Sequence, residues 1–194
     1  MLDAFDPGAK GLAQSFVGSL ELSDGALARL ESGQNVRRYL DSLLAHGLAL
    51  DALVIIARAL PAQLVVAWGC ESLRQSLEGS GPAVDTERAG LALAEQCLKQ
   101  PTDENRQLCL DFAQGVRRLT ASAWMATAVA WADGPLTPPG APVKVDAPAR
   151  AVGEAVVAAL RMAALHNSQD PSAQLATYAT RALTLFGPRT AKPS

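Results

Sequence analysis

From Leu119 to Ala132 the chain runs through 14 residues without one charged side chain. A helix that crosses a bilayer needs about 20 apolar residues, so this segment is too short to span. It is also too apolar to lie in water. It must be buried inside a globule, with other elements packed around it. Those elements read as helices. No segment sustains alternation of apolar and polar residues, and the valines fall among alanines and leucines rather than in strand-like runs. Aromatic residues are only 5% of the chain against 49% hydrophobic, so the core must be built from Leu, Val and Ala. Alanine costs the least helix entropy and lets helices approach closely.

Caps and breaks mark the segments. A short helix is expected around Ala9–Ser19, weakened by Gly11 and Gly18. Ser23 or Asp24 caps a second to about Ser32. Asn35 caps Val36–His46, with Val36, Tyr39, Leu40, Leu43 and Leu44 on one stripe, and Gly47 stops it. Leu48–Leu60 is almost wholly apolar, and Pro61 ends it and opens the next helix, which carries Leu64, Trp68, Leu73 and Leu77 to about Glu78. The Gly79–Pro82 stretch is a break. Asp85 is expected to cap a helix to about Gln100, with Leu91, Ala94, Cys97 and Leu98 inward and Pro101 closing it. Thr102 caps the next, where Asp103 and Glu104 suit the positive N-terminal dipole. That pattern continues to Trp131 as one helix kinked at Gly115 or as two. Asp146 is expected to cap a helix through about His166, with Pro148 in its first turn. Asp170 and Pro171 open the last, which runs to Phe186 before Gly187-Pro188.

The fold expected is therefore all-α: a single-domain bundle of eight or nine helices with short turns and one long proline-rich loop. The domain covers residues 1–187, the loop residues 133–146, and residues 188–194 form a frayed tail. A chain of 194 residues is long enough for one sizeable core. Short turns favour antiparallel neighbours. No internal repeat stands out, with HEAT-type stacked pairs as the alternative.

Charge and motifs argue mainly by exclusion. The net charge of −2 lacks the dense basic face of a nucleic-acid binder or a polybasic membrane anchor. From Lys144 onward there are six Lys/Arg against three Asp/Glu, and before it eleven against sixteen, too faint a bias for a patch. A nucleic-acid regulator would need Arg37, Arg38, Arg117 and Arg118 on one surface, yet adjacent helical residues diverge by about 100°. Cys70, Cys97 and Cys109 are odd in number and form no Cys-x-x-Cys pair, so they read as small buried hydrophobes in a reducing compartment. The opening residues Met1 to Gly8 lack the charged and apolar regions of a signal peptide. Together these imply a cytoplasmic protein.

Nothing marks a catalytic constellation. The two histidines, His46 and His166, fall in last helical turns, where imidazole complements the negative dipole end. No zinc spacing, phosphate-binding loop or serine elbow occurs, so no metal and no cofactor is expected. The carboxylate pairs Asp85/Glu87 and Asp103/Glu104 lie in first helical turns, where acids belong.

Two features remain. Trp124, Ala128 and Trp131 share one helix face, which reads as core; Trp131 at the helix end also reads as a wall of a groove. The loop that follows, with Pro135, Pro138, Pro139 and Pro142, has prolines that lower the entropy cost of one extended conformation. One reading makes it a strap that plugs Leu136 and Val143 into the core. The other makes it a partner-binding site formed by Trp131, Asp133, Leu136, Pro138, Pro139 and Val143. Its Pro-x-x-Pro spacings lack the flanking arginine of an SH3 ligand.

The run Trp131-Ala-Asp-Gly-Pro-Leu-Thr-Pro-Pro-Gly140 and the following Asp146-Ala-Pro-Ala-Arg-Ala-Val152 resemble an uncharacterised bacterial family of alanine-rich helical proteins of about this length. The resemblance covers the C-terminal third of the chain. Some members of that family are encoded beside type VI secretion genes, which implies an accessory, adaptor or immunity role, and no functional residue carries over. The function expected is a non-enzymatic bacterial interaction protein (adaptor, chaperone or immunity protein) whose partner is another protein, not nucleic acid or membrane. The competing expectation is an enzyme or small-molecule binder with a cavity between helices.

Overall fold

A computed structural model describes residues 13–77, 81–116, 120–148 and 150–186. Among them every regular element is a helix: α1 (Gln14–Val17), α2 (Asp24–Leu27), α3 (Val36–Ala45), α4 (Ala49–Ala59), α5 (Ala62–Ser76), α6 (Pro82–Lys99), α7 (Asp103–Gly115), α8 (Ala121–Ala132), α9 (Ala151–Asn167) and α10 (Pro171–Ala182). A 3₁₀ turn, Leu183–Phe186, closes the last helix. The protein is all-α. The two shortest helices are single turns, and the other eight carry the core.

Local capping chemistry sets most boundaries. Ser23, Asn35 and Thr102 each accept the backbone N–H three residues on, at 3.2, 2.8 and 3.2 Å. Gly47 adopts φ +74°, the left-handed stop expected after α3. Two expectations need correction, and one open alternative is decided. Asp85 does not cap α6: the helix begins at Pro82, which needs no N–H partner at the first helical position, so Asp85 lies inside the first turn. Asp146 does not cap α9, which starts at Ala151. Pro148 disfavours helical backbone at the residue before it, and its carbonyl accepts Ala151 N–H at 2.9 Å in a turn ahead of the helix. The stretch from Asp103 to Trp131 is two helices, because Thr120 caps a fresh start by accepting Ala123 N–H at 3.2 Å. Expectations for Met1–Leu12, Glu78–Ser80, Arg117–Leu119 and Gly187–Ser194 lie outside the described residues.

The helices divide between two compact units, Met1–Leu60 with Ser172–Ser194, and Pro61–Pro171. In the second, α8 is the hub and packs against α5, α6, α7 and α9. Its Ala121, Ala123, Ala126, Ala128 and Ala130 are all buried, and these short side chains are what let four helices close on one. Gly90 of α6 shows how close the packing is. A Cβ there would overlap the Phe112 ring of α7 and stand 2.7 Å from Ser122 Oγ of α8. Glu87 adds a second cap to α8, accepting Ser122 N–H at 2.7 Å.

The first unit is built on α3, whose Val36, Tyr39, Leu40 and Leu43 are buried and which packs against α4. Tyr39 donates its hydroxyl to the Ala26 carbonyl at 2.6 Å. Asp51 of α4 accepts both the N–H and the hydroxyl of Ser23, at 2.8 and 2.9 Å. Arg37 reaches the Leu183 carbonyl at 2.7 Å.

Candidate functional site

The proline-rich loop leaves the C-terminus of the hub helix α8, where the last helical carbonyls have no partner within the helix. Arg106, in the first turns of α7, supplies one. Its side chain is only 5% exposed, and a buried guanidinium is tolerable only when its donors are used. Nε donates to the Ala130 carbonyl at 3.0 Å, Nη2 to the Pro135 carbonyl at 3.0 Å, and Nη1 to Asp103 Oδ1 at 3.1 Å. One side chain thus caps α8 and fixes the first residues of the loop. Gly134 makes the approach possible, since a Cβ at that position would collide with the guanidinium.

Beyond this clamp the loop closes on itself. Leu136 N–H donates to the Val145 carbonyl at 2.8 Å, and Val145 N–H donates to Thr137 Oγ1 at 3.3 Å. Between them Ala141 N–H reaches the Pro138 carbonyl at 3.2 Å, with Gly140 at φ +80°. The ends of the segment 136–145 are therefore tied together, as in a compact Ω-type loop.

The closed loop turns apolar side chains to solvent. Val143 is 66% exposed and Val145 is 47% exposed, with exposed Lys144 between them. Of the residues anticipated from sequence, Asp133 and Pro138 are also exposed, whereas Leu136 and Pro139 are half-buried. Trp131 is half-buried too, and its indole N–H is shielded from solvent with no hydrogen-bond partner among the described residues. The strap reading fails at Val143, which is outside the core. The core reading of the Trp124/Ala128/Trp131 face holds for Ala128 alone, because both tryptophans remain partly exposed.

Arg106 was not anticipated. One signal was available: a cation in the first turns of a helix opposes the positive dipole end, and such a residue needs another reason to be there. The histidines are used locally, His46 Nδ1 meeting the Ser42 carbonyl at 2.7 Å and His166 Nδ1 the Met162 carbonyl at 2.8 Å.

All three cysteines are buried and unpaired by disulfides. Burial pushes the Cys70 thiol up to about 12, with Glu95 adding to the rise and Arg74 opposing it. Cys97 and Cys109 lie on the neighbouring helices α6 and α7. The neighbouring Cys109 thiol lowers the Cys97 thiol, against burial and with help from Arg106, and Cys97 raises the Cys109 thiol together with burial. Among the described residues no group of three His, Cys, Asp or Glu is placed to hold a metal ion, and no helix is long and apolar enough to cross a membrane.

A family model matches residues 39–186. The chain belongs to DUF6931, a family of unknown function. The DUF6931 match takes in α8, Arg106, all three cysteines and the whole proline-rich loop. No curated protein and no solved structure matches the chain.

Proposed function

We propose that this DUF6931 protein is a non-enzymatic interaction protein whose proline-rich loop docks a protein partner. The observation that carries the reading is the combination of restraint and exposure. A buried arginine and a closing pair of hydrogen bonds hold the loop, yet Val143 and Val145 face solvent. Ordering a loop before binding lowers the entropy cost of complex formation. A partner offering an apolar cleft for the two valines, with an acidic group for Lys144, fits this surface.

An adaptor, chaperone or immunity role in the bacterial cytoplasm is the specific form we favour. A link to type VI secretion rests on the resemblance of the segments 131–140 and 146–152 alone. The test is photocrosslinking in the source cells, with the reactive group at Val143 or at exposed Gln63 of α5 as control. The reading expects a discrete adduct with another protein from position 143 and none from 63. No adduct at 143, or the same adducts at both positions, contradicts it.

A further inference from the structure

The loop held by Arg106 ends in the run Val143-Lys144-Val145-Asp146. Val145 directs both of its backbone groups to one side. Its carbonyl accepts Leu136 N–H at 2.8 Å, and its N–H donates to Thr137 Oγ1 at 3.3 Å. The backbone runs without a bend from Lys144 to Pro148, and Pro148 holds Ala147 extended. In an extended chain the backbone groups of successive residues point alternately to opposite sides. The N–H and carbonyl of Lys144 and of Asp146 therefore point away from the loop. Among the described residues neither Lys144 nor Asp146 has a hydrogen bond or an ion pair. Lys144, Val145 and Asp146 are all exposed. They form a short free strand edge, with Lys144 and Asp146 on one face and Val145 on the other.

We propose that this edge pairs with the same edge of a second copy of the chain, antiparallel and two-fold symmetric about Val145. That register sets Lys144 of each copy opposite Asp146 of the other. Each of these residue pairs exchanges both of its N–H···O bonds, so every outward backbone group of Lys144 and Asp146 is used. Val145 faces its own counterpart at the non-hydrogen-bonded position, which needs no outward backbone group. Charge selects the same register, because opposite charges stand directly across from each other in both pairs. A two-fold centred on Lys144 or on Asp146 sets like charges against each other, and it presents the already engaged groups of Val145 to the partner. A lysine on a strand edge ordinarily discourages pairing. Here the aspartate two residues on reverses that for a copy of the same chain, the self-complementarity that a two-fold interface requires. The proposal rests on the loop being a preformed docking surface and adds a second copy to it. The acidic group that suits Lys144 is then Asp146 of that copy. Side chains stand perpendicular to the paired edge, so Val145 of both copies remains on one open face for the protein partner.

The test is sedimentation equilibrium of the full chain at low salt, up to about 1 mM because three paired residues make a contact far below a standard interface. Wild type is expected to dimerise reversibly. Lys144→Asp and Asp146→Lys each set like charges opposite one another in both pairs, and each weakens self-association at least about tenfold. An equal mixture of the two variants recovers it, because every aspartate then faces a lysine. The double reversal, Lys144→Asp with Asp146→Lys, recovers it within one chain. Both positions are exposed, and unchanged circular dichroism confirms that the variants fold. Wild type that stays monomeric throughout overturns the proposal. So do single variants that associate like wild type, or a mixture that associates no better than its components. The docking reading is judged separately, by the crosslink from Val143 to a different protein, so each can fail while the other stands.

Discussion

Replacing Arg106 with methionine keeps most of the aliphatic stem and removes all three hydrogen bonds of the guanidinium. The bond to Asp103 contributes little, because that carboxylate is 79% exposed and solvent screens it. The bonds to the Ala130 and Pro135 carbonyls matter more. Each is a charge-assisted hydrogen bond from a buried guanidinium, the first buried and the second part-buried, worth about 1.5–3 kcal/mol, so the gross loss is about 3–6 kcal/mol. Removing a buried guanidinium also relieves its desolvation cost, which offsets part of this. The net expectation is a destabilisation of about 2–4 kcal/mol, dominated by carbonyls left without a partner. Urea unfolding followed by circular dichroism measures it, as a midpoint lowered by about 1–2 M for a slope typical of a small protein. Asp103→Asn, as the control, costs under about 1 kcal/mol. If Arg106→Met unfolds within about 0.5 kcal/mol of wild type, the level expected of an unremarkable surface change, the clamp is not an energetic feature of the fold.

Other outcomes follow from the same contacts. Gly90→Ala forces a methyl group into the Phe112 ring and costs about 1–3 kcal/mol by urea unfolding. Gly115→Ala, where a Cβ meets nothing within 4 Å, stabilises by about 0.5–1 kcal/mol in the same assay. Tyr39→Phe removes one donor to the Ala26 carbonyl, which keeps the Arg29 N–H at 3.0 Å, and costs about 0.5–1.5 kcal/mol. The Cys70 thiol is held above its ordinary value of 9.0, up to about 12, so the unfolded chain loses that proton first. Its contribution is complete below pH 9.0 and is lost as pH rises toward about 12. Unfolding measured across that window falls less steeply in Cys70→Ala than in wild type; equal slopes contradict the assignment.

What was legible in the sequence was local. Asn35, Thr102 and Ser23 cap the helices they precede because the chemistry involves residues three apart. Pro61 and Gly47 mark boundaries for similarly local reasons, and the apolar run through α8 already required a buried hub. The misplaced starts at Asp85 and Asp146 arose where a proline competed with a good capping side chain. At α6, Pro82 occupies the first helical position and advances the start; at α9, Pro148 holds a turn and delays it. Residues that act across helices were not legible. Arg106 finds its acceptors 24 and 29 residues away, and no spacing rule encodes that. Cys97 and Cys109 match no pair motif, yet they lie on two helices packed side by side. The loop was visible from its prolines. Which of its side chains turn outward depends on the hydrogen bond between Leu136 and Val145, and this is why Val143 was also read as a core plug.

Everything assigned to the loop depends on Arg106 holding it in one conformation. Hydrogen exchange at the Leu136 amide measures that directly, because this N–H is the donor that closes the loop on Val145. In wild type the Leu136 amide exchanges well below the rate of an unstructured chain. In Arg106→Met, under conditions where α9 keeps its own protection, it accelerates by at least about tenfold, equivalent to about 1.4 kcal/mol of local opening. An unprotected Leu136 in wild type, or equal protection in both proteins, contradicts the clamp and the preformed surface built on it.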